Sequence, residues 1–233
     1  MTNYREIEDV FSSIGIKRRP VAVTYCDAEP ADVKKFAGTV PSGCTFWKLA
    51  ADGATFYTVP GDHFNCAVGS YTHNIALPPD REAELSGTLQ LMTGIGYLKM
   101  EEVPSIARLD HPPVAVIYAP LGDTPTDPDV VVLAGSNAQL MLLEEAAGRA
   151  GCGVQMSLGR PTCMALPAAM KTGVVASSGC IGNRVYTDLG EADAYLVLSA
   201  RTISEVAAEI PTILSANAQL EQFHRDRLAT LTS

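Results

Sequence analysis

Apolar positions along the chain follow two rhythms. In YREIEDVFSSI (residues 4–14), Ile7, Val10, Phe11 and Ile14 fall three and four apart with acids early in the run. That spacing predicts an amphipathic helix ended at Gly15. RPVAVTYCD then switches to an apolar, β-branched run, a strand from Val21 to Tyr25, and PPVAVIYAP repeats it from Val114 to Tyr118. A third run, Val130 to Leu133, is bounded by Asp-Pro and Gly and predicts a buried strand. Ser136 or Asn137 caps the helix after it, which shows Leu140, Leu143 and Ala147 on one face and ends near Gly151. Between the strands Val21–Tyr25 and Val114–Tyr118, a helix follows Pro79, a loop lies near Gly94 and Gly96, and a short helix precedes Pro113. AYLVLSA reads as a further strand, and Thr202 to Leu228 as two helices separated near Pro211. A strand followed at once by a capped helix is one step of an α/β or α+β fold. The expected class is therefore α/β, with α+β as the alternative: a mixed sheet flanked by helices.

Two internal similarities suggest how the chain is divided. The string P-V-A-V-x-Y occurs at both predicted strands, Val21–Tyr25 and Val114–Tyr118. The stretches from Cys44 to Cys66 and from Cys163 to Cys180 share an order: a cysteine on a short helical run, a turn at Gly53 or Gly173, a β-like run, and a second cysteine among small residues. Together they predict two pseudo-repeated halves, 1–110 and 111–233, forming one compact unit around a central cleft. The two P-V-A-V-x-Y strands are then expected at equivalent places in a sheet.

Composition narrows the function classes. The 233 residues are 47% hydrophobic and 18% charged, enough to bury a sizeable core. A net charge of −9 argues against a nucleic-acid surface, and Lys17-Arg18-Arg19 is too short to make one. No apolar run is long enough to span a membrane, and the acidic start MTNYREIEDV lacks a signal-peptide core, so a cytoplasmic location is expected. Thiols stay reduced there, and six cysteines point to metal binding or redox chemistry before disulfides. GTLQLMTGIG lacks the ending of a nucleotide loop and follows no strand, and no Gly-x-Ser-x-Gly elbow occurs.

The cysteines differ in context. Cys26 ends a strand and Cys152 sits between glycines, both readable as small buried residues. Cys44 and Cys163 stand at predicted helix starts, where partial positive charge favours the thiolate. Cys66 and Cys180 have glycines beside them whose N–H groups can approach a sulfur. Twenty-one residues separate Cys44 from Cys66 and sixteen separate Cys163 from Cys180, unlike the compact spacing of zinc knuckles or ferredoxins. A shared site would have to be assembled by the tertiary fold, one pair from each half. Spacing alone leaves shared ligation and unrelated core cysteines equally open.

Several strings together resemble the DUF169 family over nearly the whole chain. They are R-P-V-A-V, Cys44 with Ala50, Gly53, Phe56 and Tyr57, His63-Phe64-Asn65-Cys66 with Gly69, Pro128-Asp129-Val130-Val131 with Asn137-Ala138-Gln139 and Met141, Cys163, and Gly179-Cys180-x-Gly182-x-Arg184. Asn183, where the family more often has serine, and Val68, where a second glycine is usual, depart from its pattern. The resemblance supplies no reaction. It implies that Cys44, Cys66, Cys163 and Cys180 belong to the family pattern while Cys26 and Cys152 do not. Four such thiols in a reduced compartment suit a [4Fe–4S] cluster, with zinc as the alternative metal. The expected function is then redox or Lewis-acid chemistry on a small molecule, as an oxidoreductase or lyase, or service to an electron-transfer partner. The competing readings are a zinc-stabilised small-ligand-binding protein and a thiol enzyme using Cys66 with His63. His63 and Arg184 are the candidate catalytic side chains: His63 as a relay or alternative ligand, Arg184 as a carboxylate binder or a counter-charge to a reduced cluster. A homodimer is the base-rate expectation for oligomeric state.

Overall fold

The computed structural model describes residues 2–156 and 160–232. In chain order the elements are α1 (Tyr4–Ser12), β1 (Val21–Cys26), α2 (Cys44–Ala51), β2 (Phe56–Thr58), α3 (Ala67–Thr72), α4 (Pro79–Gly94), β3 (Ala115–Pro120) and β4 (Val130–Ser136). There follow α5 (Asn137–Arg149), β5 (Val154–Met156), α6 (Ala165–Thr172), β6 (Val174–Ser177), α7 (Ile181–Thr187), β7 (Asp193–Ser199) and α8 (Ile203–Thr232). The fold is α+β, with one mixed seven-stranded sheet flanked by helices, in the order β2-β3-β1-β4-β7-β6-β5. Neighbouring strands are antiparallel except β5 and β6, which run parallel. No helix is long and apolar enough to cross a membrane among the described residues.

Strand alternation sorts the core into two layers. Ala22, Val131, Leu133, Leu196 and Leu198 face one side, where α1, α5 and α8 cover them. Val21, Val23, Val130, Val132 and Val197 face the other, together with Cys44, Cys163, Trp47 and Leu166 from α2, α6 and the turn before α6. The capped start of α5 holds as expected. Ser136 Oγ accepts from Gln139 N–H while Gln139 Oε1 accepts from Ser136 N–H, a reciprocal capping box.

One expectation is corrected. Thr202 to Leu228 is not two helices, because α8 runs through Pro211 unbroken. Pro211 lies on the exposed side, while Ile203, Val206, Ala207, Ile210 and Ile213 keep one face in the core on both sides of it, so core packing carries the helix past the missing donor. The P-V-A-V-x-Y strands, β1 and β3, are direct antiparallel neighbours, with Val23 opposite Tyr118. The strands that carry the cysteine stretches are related differently. Counting outward from the central β1·β4 pair, β3 and β7 come next, then β2 and β6. On this count β1 corresponds to β4, and β3 lies between β1 and β2 although its sequence falls beyond residue 110.

Candidate functional site

Two arms built alike bring the cysteines together. In the first, Cys44 opens α2, and the chain reverses at Gly53, whose φ of +107° favours glycine. It then pairs along β2 and returns through a 3-10 turn at Pro60–His63 to Cys66, the N-cap of α3. In the second, Cys163 sits in the 3-10 turn Thr162–Met164 that runs into α6. The chain reverses at Gly173, φ +102°, pairs along β6, and reaches Cys180, the N-cap of α7. All four cysteines line a single cavity of ≈ 290 Å³. Cys44 and Cys163 form its buried base, 8% and 9% exposed, and Cys66 and Cys180 are half-buried.

The sulfurs are supplied with hydrogen bonds. Ser42 Oγ lies 3.0 Å from Cys44 Sγ, and Gly69 N–H donates to Cys66 Sγ at 3.3 Å. A Cβ on Gly69 would stand 2.9 Å from that sulfur, so only glycine permits this approach. The N–H of Cys180 donates to Thr162 Oγ1 at 2.5 Å, tying the second arm's two cysteine segments together. Asn183, beside Cys180 in sequence, is buried with neither amide atom in a well-formed hydrogen bond, although it lies within electrostatic reach of Cys44 and Tyr195.

Burial governs the ionisation of these thiols. It pushes the Cys44 thiol up to about 11, and nearby Cys66 and Cys180 push the same way against the Ser42 and Asn183 side chains. Burial also raises Cys66, opposed by the N–H groups of Gly43 and Gly69, and raises Cys163 well above its ordinary value, with Cys66, Cys44 and Cys180 adding to the effect. The expectation that helix starts would lower Cys44 and Cys163 is therefore overturned: one short helix's partial charge is weaker than desolvation. The mutual couplings also show that the four thiols are near neighbours. Among the described residues, no three His, Cys, Asp or Glu side chains are drawn together tightly enough to hold one metal ion.

Residues 12–209 match the model of the DUF169 family, described as "Uncharacterised ArCR". The chain belongs to the DUF169 family. No curated protein and no solved structure matches it.

The remaining candidates in this DUF169 protein lie outside the cavity lining. His63 is buried behind the first arm, where Nε2 pairs with Thr58 Oγ1 at 2.8 Å. Thr58 Oγ1 also lies 3.4 Å from the Val116 carbonyl, and among the described residues His63 Nδ1 has no hydrogen-bond partner. Burial, with His73 beside it, lowers His63 to about 3, and burial lowers His73 to about 4. Among the described residues no hydrogen bond joins the His63 ring to the Cys66 sulfur, and burial favours the neutral form of both. Arg184 donates to the carbonyls of Gly190, Ser178 and Asp193 and pins the loop before β7. It is not among the residues lining the cavity, and no ion pair to an acid is seen for it among the described residues. Cys26 and Cys152 lie away from the cavity, each near a carbonyl two residues back.

Sequence reasoning missed the residues that shape the cavity above the sulfurs. Leu89 and Met92 of α4, with Leu98 and Ile106 after it, form a cover, and Ile181 and Tyr186 of α7 form the facing wall. Arg160 is the single charged residue among the lining side chains described. The weak apolar periodicity of α4, which buries none of its residues, carried the only trace of this cover.

Proposed function

We propose that this protein holds a [4Fe–4S] cluster on Cys44, Cys66, Cys163 and Cys180 and carries out redox or Lewis-acid chemistry on a small molecule in the cavity above it. The observation that carries this reading is the gathering of four family-pattern thiols from two distant stretches of chain around one cavity. The donor set fits: four cysteines offer one sulfur to each iron of a cube, and hydrogen bonds from backbone and side chains to sulfur are among the features that tune such sites. Zinc on the same four sulfurs is the alternative reading, and it would draw them to about 4 Å of one another. Buried thiols with raised pKa values resist ionising alone, and a polycationic group is what would stabilise them together as thiolates. A cluster held there would supply one-electron transfer and, with one iron open, a Lewis acid for a substrate oxygen.

The chain's own residues supply the rest. Ser42, Gly43 and Gly69 orient two sulfurs, Asn183 offers an amide beside Cys44, and Leu89 and Met92 of α4 give the cavity an apolar side. A reduced compartment, the cytoplasm, suits such a site. Anaerobic purification followed by iron, acid-labile sulfide and visible absorbance tests the proposal. About four iron and four sulfide per chain are expected; protein without iron or sulfide after anaerobic reconstitution would refute it.

A further inference from the structure

The cavity above the sulfurs is chemically lopsided. Its walls include the apolar side chains of Leu89, Met92, Leu98, Ile106 and Ile181 with the ring of Tyr186, and among the described lining residues its one charged side chain is Arg160. The Arg160 guanidinium lies 5.0 Å from the centre of the Tyr97 ring, which steadies it beside the cavity. Its partner Glu102 is 3.5 Å away, with the two side chains 36% and 33% exposed. A pair so open to solvent holds weakly. Glu102 also accepts from the N–H of Lys99 at 3.2 Å, a bond it can keep when the arginine turns away.

We infer that this cavity takes a small apolar carboxylate, its acid group on Arg160 and its hydrocarbon body between α4 and α7, directed at the sulfurs. An arginine fork matches a carboxylate in two parallel hydrogen bonds and at shorter range than Glu102 now offers. Once it turns from Glu102, one guanidinium balances one negative charge. A phosphate monoester would bring close to two beside Glu102, in a chain that already carries a net charge of −9. The whole cavity, including the space that a group on the cysteines would take, is ≈ 290 Å³, below the usual range for ligand pockets, so the room left suits a small monocyclic or short-chain acid and not a nucleotide. The inference deepens the cluster reading, since the acid's inner end meets whatever the cysteines hold.

Titration calorimetry on anaerobically purified full-length protein, with iron and sulfide assayed on the same sample, tests it. Benzoate and hexanoate should bind about tenfold or more tightly than benzamide and hexanamide, and benzoate more tightly than phenyl phosphate. Arg160→Gln should erase the preference for acid over amide, with an unchanged melting temperature showing that the fold is intact. Glu102→Gln should tighten benzoate binding several-fold, a gain that misfolding cannot produce. Acid and amide binding equally, phenyl phosphate binding best, no binding of either acid at millimolar concentration, or acid preference surviving Arg160→Gln would each overturn the inference. Arginine-dependent benzoate binding to protein lacking iron and sulfide would uphold the carboxylate site and remove the cluster reading. A full cluster with no acid preference would do the reverse.

Discussion

The two cysteine arms are alike up to their second sulfur and differ beyond it. Each runs cysteine, short helix, glycine with φ near +105°, strand toward the sheet's outer part, and a cysteine at a helix N-cap (Gly53 +107°, Gly173 +102°). Three residues past that cysteine, the first arm has Gly69, whose N–H reaches the sulfur, and the second has Asn183, a buried amide. Behind the first arm lies a buried polar layer, in which the His63 and His73 rings are 5.4 Å apart and Tyr25 stacks edge-on to His73. The second arm is instead pinned by Arg184 to three carbonyls. The wall facing a ligand is unlike on its two sides as well, α4 against α7. The shared part of the arms does what both must do, presenting sulfur, while the divergent parts give the cavity its direction.

The largest effect expected from this comparison is also the most even-handed. Cys44→Ser, Cys66→Ser, Cys163→Ser and Cys180→Ser should each remove most of the iron and sulfide, whichever arm is hit, while Cys26→Ser and Cys152→Ser leave both intact. Retention of a full cluster by one of the four variants would break the equivalence and mark that cysteine's iron as the open one.

Gly69→Ala should separate the arms. Its Cβ would meet Cys66 Sγ at 2.9 Å, whereas a Cβ on Gly182 meets only the Tyr186 ring at 3.6 Å. A loss of about 1–3 kcal/mol in stability, together with lowered iron content, is expected for Gly69→Ala. Gly182→Ala should be near neutral. Equal behaviour in denaturant melts would show that the Gly69 approach is unimportant.

Acid should weaken the first arm before the second. His63 and His73 have folded-state values of about 3 and about 4, below the ordinary histidine value of 6.5. As pH falls below 6.5 the unfolded chain takes up protons that the native state refuses, so stability is present above that pH and is lost toward pH 4. Each histidine accounts for about 1–2 kcal/mol between pH 7 and pH 5. Urea unfolding of His73→Phe at the two pH values should show a shallower loss; an unchanged slope contradicts the assignment.

The smallest effect belongs to the second arm. Arg184→Ala should cost about 1–2 kcal/mol through its lost carbonyl bonds and leave iron content unchanged in protein that remains folded. Loss of iron from fully folded protein would return Arg184 to the site.

Much of this was legible in the chain, for definable reasons. β1, β4, β7 and the capped α5 carry strong periodicity and local caps, which act over a few residues. The four cysteines could be singled out because their arms share an order of features that needs no contact to be seen. What escaped depends on distance across the fold. β5 is three residues long with two of them exposed, so it has almost no apolar signature. α8 crosses Pro211 because core contacts outweigh a local penalty. The raised thiols depend on burial, Arg184 is read from carbonyls six to nine residues away, and Arg160 meets Glu102 across 58 positions of sequence (160 − 102).

The central claim is that one polynuclear group sits among four sulfurs drawn equally from the two arms. Anomalous scattering at the iron edge from anaerobically grown crystals tests it most directly. The account predicts a compact group of about four iron peaks, with the sulfurs of Cys44, Cys66, Cys163 and Cys180 each about 2.3 Å from one of them. A single metal peak with all four sulfurs around it, or ordered sulfurs in anaerobically reconstituted crystals with no metal between them, would contradict it.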